Sequence, residues 1–149
     1  MPDYDYRTPG NYFITVCTHA RRLLFEARTL HRLVEDTWAS LPEHHRVQVD
    51  VFVVMPNHVH GILQLEGDVV GAQRAAPQRS GFRARPVLPG SLSAVVRSFK
   101  SASTKAINDF QRSRGSPVWQ RGYYEHLIRT EAELSRAREY IANNPANWV

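Results

Sequence analysis

Two stretches of the 149-residue chain carry side chains whose types and spacing could do chemistry. In "VMPNHVHGIL", Val54 to Leu63, His58 and His60 stand two apart between apolar runs. On an extended strand such a pair projects to one side while Val59 faces the other, and two neighbouring imidazoles make half a metal site. The same pair also reads as a polar sheet face, so a site needs further donors from elsewhere in the chain. The C-terminal region offers them. Tyr140 and Asn144 are four apart, so one helical turn brings a phenol and an amide to the same side, with Glu133 and Arg136 further back. That arrangement is also what a half-buried tyrosine at a helix edge and a helix-ending amide before Pro145 would give.

The elements that must position these groups follow from apolar periodicity. "NYFITVCT", Asn11 to Thr18, is β-branched and aromatic after a Pro-Gly turn, and predicts a strand. Leu30 to Leu41 places Leu30, Leu33, Val34, Thr37, Trp38 and Leu41 at helical spacing. Val47 to Met55 and His58 to Leu65 are strand-like runs separated by Pro56-Asn57, so a β-hairpin carries both histidines at the start of its second arm. Ser91 to Phe110 reads as an amphipathic helix with a Ser N-cap. Its apolar face runs through Leu92, Val95, Val96, Phe99, Ala102, Ala106, Ile107 and Phe110, and Arg97, Lys100, Ser101, Lys105 and Asn108 lie off it. Val118 to Arg129 reads as a further strand. Thr130 and Glu133 then form a capping box that opens a final helix to about Asn143, docked through Leu134, Ala137 and Ile141. The order strand, helix, strand, strand, helix, strand, helix is α+β, and fits a ferredoxin-like βαββαβ antiparallel sheet with an additional C-terminal helix.

Length and composition set the outer bounds. The chain has the size of one domain, 1–149, with a flexible basic loop at about 67–90 that is rich in Gly, Pro, Ala and Arg. Nineteen Lys and Arg against fourteen Asp and Glu give a formal charge of +5, an electrostatic bias toward phosphates or anionic surfaces. The single Cys17 cannot form an internal disulfide and suits a reducing compartment. The expected location is cytoplasmic, with nucleoid association if DNA is the partner. No apolar run is long enough to span a bilayer, and "MPDYDYRTPG" lacks the apolar middle of a signal peptide.

Taken together, "YFITVCTHARRLLF", "VFVVMPNHVHGILQL", "SLSAVVRSFKSASTKAIN" and "VWQRGYYEHLIRTEAELSRAREYIANNP" resemble the single-tyrosine HUH transposases. Within them the match is to the insertion-sequence-200-like group and its REP-associated tyrosine transposases. The resemblance spans nearly the entire chain apart from the basic loop. It implies that His58 and His60 bind a divalent cation, that Tyr140 is the nucleophile, and that Asn144 completes the metal site. It also implies a ferredoxin-like fold and hairpin-bearing single-stranded DNA as substrate, handled by a monomer or a homodimer, the dimer slightly favoured.

These residues suffice for the implied reaction. A phenol, with a pKa of about 10, is a poor nucleophile when protonated, and an anionic phosphodiester repels attack. A cation would withdraw charge from the phosphate and orient the leaving 3′-oxygen. Imidazole and amide donors suit Mg²⁺ or Mn²⁺ and tolerate Zn²⁺ or Ni²⁺. The covalent 5′-phosphotyrosine would conserve the bond for rejoining, so no nucleotide hydrolysis is required. The chain accordingly has no Gly-rich phosphate loop ending in Lys-Ser/Thr. Tyr123 and Tyr124 are rival nucleophiles by residue type, but lack a polar partner one helical turn away. Glu125 and His126 are candidates to support the metal ligands. Arg97, Lys100, Lys105, Arg121 and Arg129 are candidate phosphate contacts, and Phe82 or Trp148 could stack on bases. Two other readings stay open: a domesticated nucleic-acid-binding protein that does not cut, and a hydrolase in which water replaces the tyrosine.

Overall fold

The computed structural model describes residues 9–66 and 91–145; the expected basic loop at 67–90, Phe82 within it, and Trp148 lie outside the described residues. Four strands, β1 (Gly10–Cys17), β2 (Val47–Met55), β3 (His58–Leu65) and β4 (Tyr124–Ile128), form one sheet in the order β2-β3-β1-β4. Every pairing is antiparallel. Helix α1 (Arg28–Ala39) joins β1 to β2, α2 (Leu92–Gln111) lies between β3 and β4, and α3 (Glu131–Asn143) follows β4. The α+β, βαββαβ order expected from periodicity, with the added C-terminal helix, is the order observed.

Strand alternation divides the sheet into two unlike faces. Tyr12, Ile14 and Val16 of β1 and Val59 and Leu63 of β3 point to the side covered by α1 and α2, where they join Trp38, Phe99 and Trp119 in the main core. Trp38 packs edge-on to Phe99, with ring centroids 5.0 Å apart. Gly61 makes room for it: a Cβ there would stand 2.5 Å from Trp38 Cζ2 and 2.9 Å from Phe52 Cβ. The opposite face carries a smaller cluster, in which Ile62 and Ile128 meet Leu134 and Ile141 of α3. The stripe predicted from Leu134, Ala137 and Ile141 is therefore the docking stripe.

Three local expectations are corrected. The strand foreseen from Val118 to Arg129 is paired only over Tyr124–Ile128. Upstream, Trp119 makes an isolated bridge to Thr18 and sinks its indole into the core, where Nε1 donates to Ser103 Oγ at 2.9 Å. Gly122 then turns the chain at φ +71°, a conformation that costs glycine little. Asn108, placed off the apolar face of α2, is buried, and its amide donates to the carbonyl of Ser116 at 3.0 Å. Phe110, assigned to that face, is 59% exposed, because α2 ends one residue later and Arg112 takes a left-handed conformation.

Candidate active site

The site grows from the register of β1 against its neighbours. Phe13, Thr15 and Cys17 stand opposite Ile62, His60 and His58, so all six project to the face that α3 covers. His58 and His60 lie together there, with ring centroids 4.5 Å apart, and Val59 between them is fully buried on the other side, as alternation requires. Their turn is anchored from outside the hairpin. Thr18 N donates to Asn57 O at 3.0 Å and Phe25 N to Pro56 O at 2.9 Å.

Each imidazole is engaged through Nδ1. His58 Nδ1 donates to the side-chain oxygen of Asn57 at 2.7 Å, which puts the lone pair of the neutral ring on Nε2. His60 Nδ1 is 2.9 Å from Thr15 Oγ1. Burial, and then the neighbouring His58, push His60 down to about 4, so it is neutral at physiological pH. Burial, and then the charge of Arg21, lower His58 as well. Neutral rings fixed through one nitrogen are what divalent cations take from a protein.

Tyr140 comes to this pair from α3. Its ring lies 5.4 Å from His60 and 6.0 Å from Phe13 by centroid, yet the residue remains 53% exposed. The helix is held over the histidines by its apolar stripe and by Arg138, whose Nε and Nη2 donate to Asp50 Oδ2 at 3.2 and 2.8 Å. Asp50 sits in the irregular register between Val49 and Phe52 on β2. At the start of α3, Thr130 Oγ1 accepts from Glu133 N at 3.0 Å, as the capping box predicts. The Glu133 carboxylate reaches one residue further back than in the standard box, accepting from Arg129 N at 2.7 Å.

Asn144 caps the C-terminal end of α3, and its amide lies 3.5 Å from the carbonyl of Tyr140. Among the described residues no group of three or more His, Cys, Asp or Glu side chains converges as a metal cage. The donors on offer are thus two neutral imidazoles, with an amide one turn beyond the tyrosine. Such a set fits a cation that keeps several waters or takes phosphate oxygens.

No family model matches the chain. A Haemophilus influenzae protein of uncharacterised function is 35% identical over 158 residues, covering 99% of this chain and 87% of that protein. A second protein of the same organism, assigned as a REP-associated tyrosine transposase, is 27% identical, covering 95% of this chain and 73% of its own length. Among solved structures, a REP-associated tyrosine transposase bound to a REP hairpin superposes with a TM-score of 0.69 at 23% identity, over 100% of this chain and 76% of the other. A Deinococcus radiodurans protein described as a transposase gives 0.55 at 18% identity, over 91% of each chain. The fold is the one these transposase structures share, and the sequence is similar to a REP-associated tyrosine transposase over nearly its whole length.

Within the transposase fold the remaining predicted residues separate by face. Register puts Glu125 opposite Ile14 and His126 opposite Phe13, so the two have opposite parity. Glu125 thus faces away from the histidine pair. His126 is on the site's face, where its Nε2 lies 3.0 Å from Glu133 Oε2. Tyr124 shares that face, opposite Thr15, whereas Tyr123 packs against the main core and bonds Ser93. Arg97, Lys100 and Lys105 ride on α2, across the sheet from Tyr140. Lys100 Nζ donates to the carbonyls of Gln120 and Gly122 at 2.8 and 2.6 Å, and Lys105 pairs with Asp109 at 3.0 Å. Arg121 and Arg129 are exposed, flanking β4.

Sequence reading missed Thr15, Phe13 and the Asp50–Arg138 pair. The first two had a signal in the alternation of "YFITVC", since the positions between Tyr12, Ile14 and Val16 must face the other helix layer. The ion pair joins residues 88 apart and left none. Among the described residues no helix is long and apolar enough to cross a membrane.

Proposed function

We propose that this protein is a REP-associated tyrosine transposase-like enzyme that cleaves and rejoins hairpin-bearing single-stranded DNA, with Tyr140 as nucleophile. The observation that carries the reading is the convergence of the Tyr140 ring on His60, 5.4 Å away, with His58 alongside. Both arms come from one chain. The phenol oxygen of Tyr140 bonds to phosphorus as the bond from phosphorus to the 3′-oxygen breaks. The phenol gives up its proton and the 3′-oxygen gains one, leaving a 5′-phosphotyrosine and a free 3′-hydroxyl. One phosphoester replaces another, so the reverse reaction with a new 3′-hydroxyl rejoins the strand.

His58, His60 and Asn144 would hold a divalent cation, Mg²⁺ or Mn²⁺ by donor type. When bound, it supplies charge withdrawal at the scissile phosphate and a template for the leaving oxygen. Thr15 and Asn57 orient the two rings, and burial keeps them neutral at the pH of the reaction. Exposure of Tyr140 leaves the phenol accessible to a strand lying along the α3 face. Arg129 and Arg121 contact phosphates at either end of β4. Arg97 and Lys105 extend the positive surface to the far layer, and Lys100 adds to it only through what its two carbonyl bonds leave over.

Incubation with hairpin-bearing single-stranded DNA and Mg²⁺ or Mn²⁺ should yield a protein–DNA adduct that resists denaturant. Tyr140→Phe should lose it and Tyr124→Phe should keep it. Equal adduct from Tyr140→Phe would remove Tyr140 as nucleophile. Salt-sensitive binding without adduct under any condition would favour the non-cutting alternative.

A further inference from the structure

Beside Tyr140, the α3 face holds a cavity of about 330 Å³. Its walls are aromatic and its edge is polar. Phe13, Tyr124 and Tyr140 form the walls, and His126, Glu133 and Arg136 the edge. Phe13 is the hinge of the arrangement. Its ring lies 6.4 Å from Tyr124 at a near-perpendicular 76°, 6.0 Å from Tyr140 and 5.4 Å from His60.

Tyr124 is unusual in its setting. Although it begins β4, it is 58% exposed, and its ring meets Phe13 edge to face, which leaves ring surface open to solvent. The polar edge is ordered in advance. Glu133 accepts from Arg129 N and from His126, and these contacts lower its pKa from the ordinary value, first through the backbone bond and then through His126. An ionised carboxylate only accepts, so His126 must donate through Nε2, and Nδ1 is then the acceptor of the neutral ring. Arg136 brings a planar fork of donors to the same rim.

We propose that this cavity holds one unpaired nucleobase of the strand attacked by Tyr140, adjacent to the scissile phosphate. The base stacks on Tyr124 and turns an acceptor edge toward Arg136. The proposal rests on the reading of Tyr140 as nucleophile, since Tyr140 is a wall of both the cavity and the cleavage centre. An aromatic-walled cavity suits a base, because every base has a π-face. The Arg136 fork favours guanine, whose O6 and N7 accept two parallel bonds, over bases that present a donor there. Tyr124 and Arg136 would act as positioning and specificity residues: a captured flanking base fixes where the backbone crosses the phenol.

The test uses Tyr140→Phe protein, which keeps the ring and removes the chemistry. Hairpin-bearing strands carry 2-aminopurine, or an abasic site, at each position around the cleavage point in turn. One position should show quenching on binding that Tyr124→Ala abolishes and Tyr124→Trp restores. Affinity for the intact strand should fall about 5- to 160-fold in Tyr124→Ala, the span of one base–aromatic stack. The same variant should lose nothing further on the strand that is abasic at that position. Arg136→Met should erase a preference for guanine there. Equal losses on intact and abasic strands, or quenching independent of Tyr124 everywhere, overturns the pocket while leaving the wild-type adduct assay unaffected. Tyr124-dependent quenching without any wild-type adduct overturns the cutting and keeps the pocket. A protein that binds no DNA overturns both.

Discussion

On one side of the sheet Trp38, Phe99 and Trp119 are shut beneath α1 and α2, while on the other Tyr140 and Tyr124 remain more than half exposed beside His60. The same strands supply both sides, one residue apart. β3 alternates His58, His60 and Ile62 with Val59, Gly61 and Leu63, so each residue that holds a reactive group is pinned by neighbours buried in the opposite layer. The difference teaches how a small domain keeps imidazoles and a phenol in register without enclosing them. Rigidity comes from the far face, and the near face is left thin enough for a DNA strand to reach.

The division predicts its largest effect at Trp38. Trp38→Ala removes the ring that fills the space above Gly61, and should cost about 3–5 kcal/mol in a urea unfolding curve. Because Trp38 touches only the closed face, adduct yield per folded molecule should persist well below the melting midpoint. Loss of adduct without loss of stability would break the comparison, since it would tie the closed face directly to the chemistry.

A middle-sized effect is expected at Lys100, which sequence alone places with the DNA contacts. In the structure its ammonium caps the carbonyls of Gln120 and Gly122, bracing the segment that delivers Trp119 to the core and β4 to the sheet edge. Burial lowers its pKa, consistent with an internal duty. Lys100→Met removes the charged donor from two solvent-accessible carbonyls and should lose about 0.5–1.5 kcal/mol of stability. The salt dependence of DNA binding should not change. Arg129→Ser should do the reverse, keeping stability and reducing the salt slope by about 0.7, the contribution of one single-strand phosphate contact. A shallower slope in Lys100→Met would return that residue to the DNA surface.

These outcomes bear on what was legible in the sequence. β1, the hairpin and the core faces of α1 and α3 are readable because each is written in local periodicity, and parity puts His58 and His60 on one side, but it is the family resemblance, not spacing, that singles out these histidines and Tyr140 as a site. Parity also separates Glu125 from His126, but only once the β1–β4 register is known, and nothing local fixes that register. Val118 to Arg129 looked like one strand because its residues favour strands throughout. Its first half instead serves the core through Trp119 and turns at Gly122, a tertiary demand that overrides propensity. Asp50 and Arg138 are ordinary surface types 88 residues apart, joined only by the docking of α3. Asn144 was found by spacing, and the hydrogen bond seen for its amide is the local one back to Tyr140 that any helix end can make.

The smallest effect concerns acid. The open face depends on exposed polar contacts at the start of α3, where Glu133 accepts from Arg129 N and His126. Those contacts hold its carboxylate below the ordinary value of 4.5, so the unfolded chain binds a proton that the folded chain resists. The associated stabilisation is present above that value and is lost as pH falls through the lowered one. Amide exchange should therefore show the first turn of α3 losing protection in acid sooner than α2, whose N-cap rests on the hydroxyl of Ser91 and does not titrate in this range. Glu133→Gln, unable to ionise, should flatten that difference and leave α2 unaltered. If α2 and α3 lose protection together in both proteins, the two faces open as one unit, and α3 is tied to the sheet by Leu134 and Ile141 more than by its polar cap.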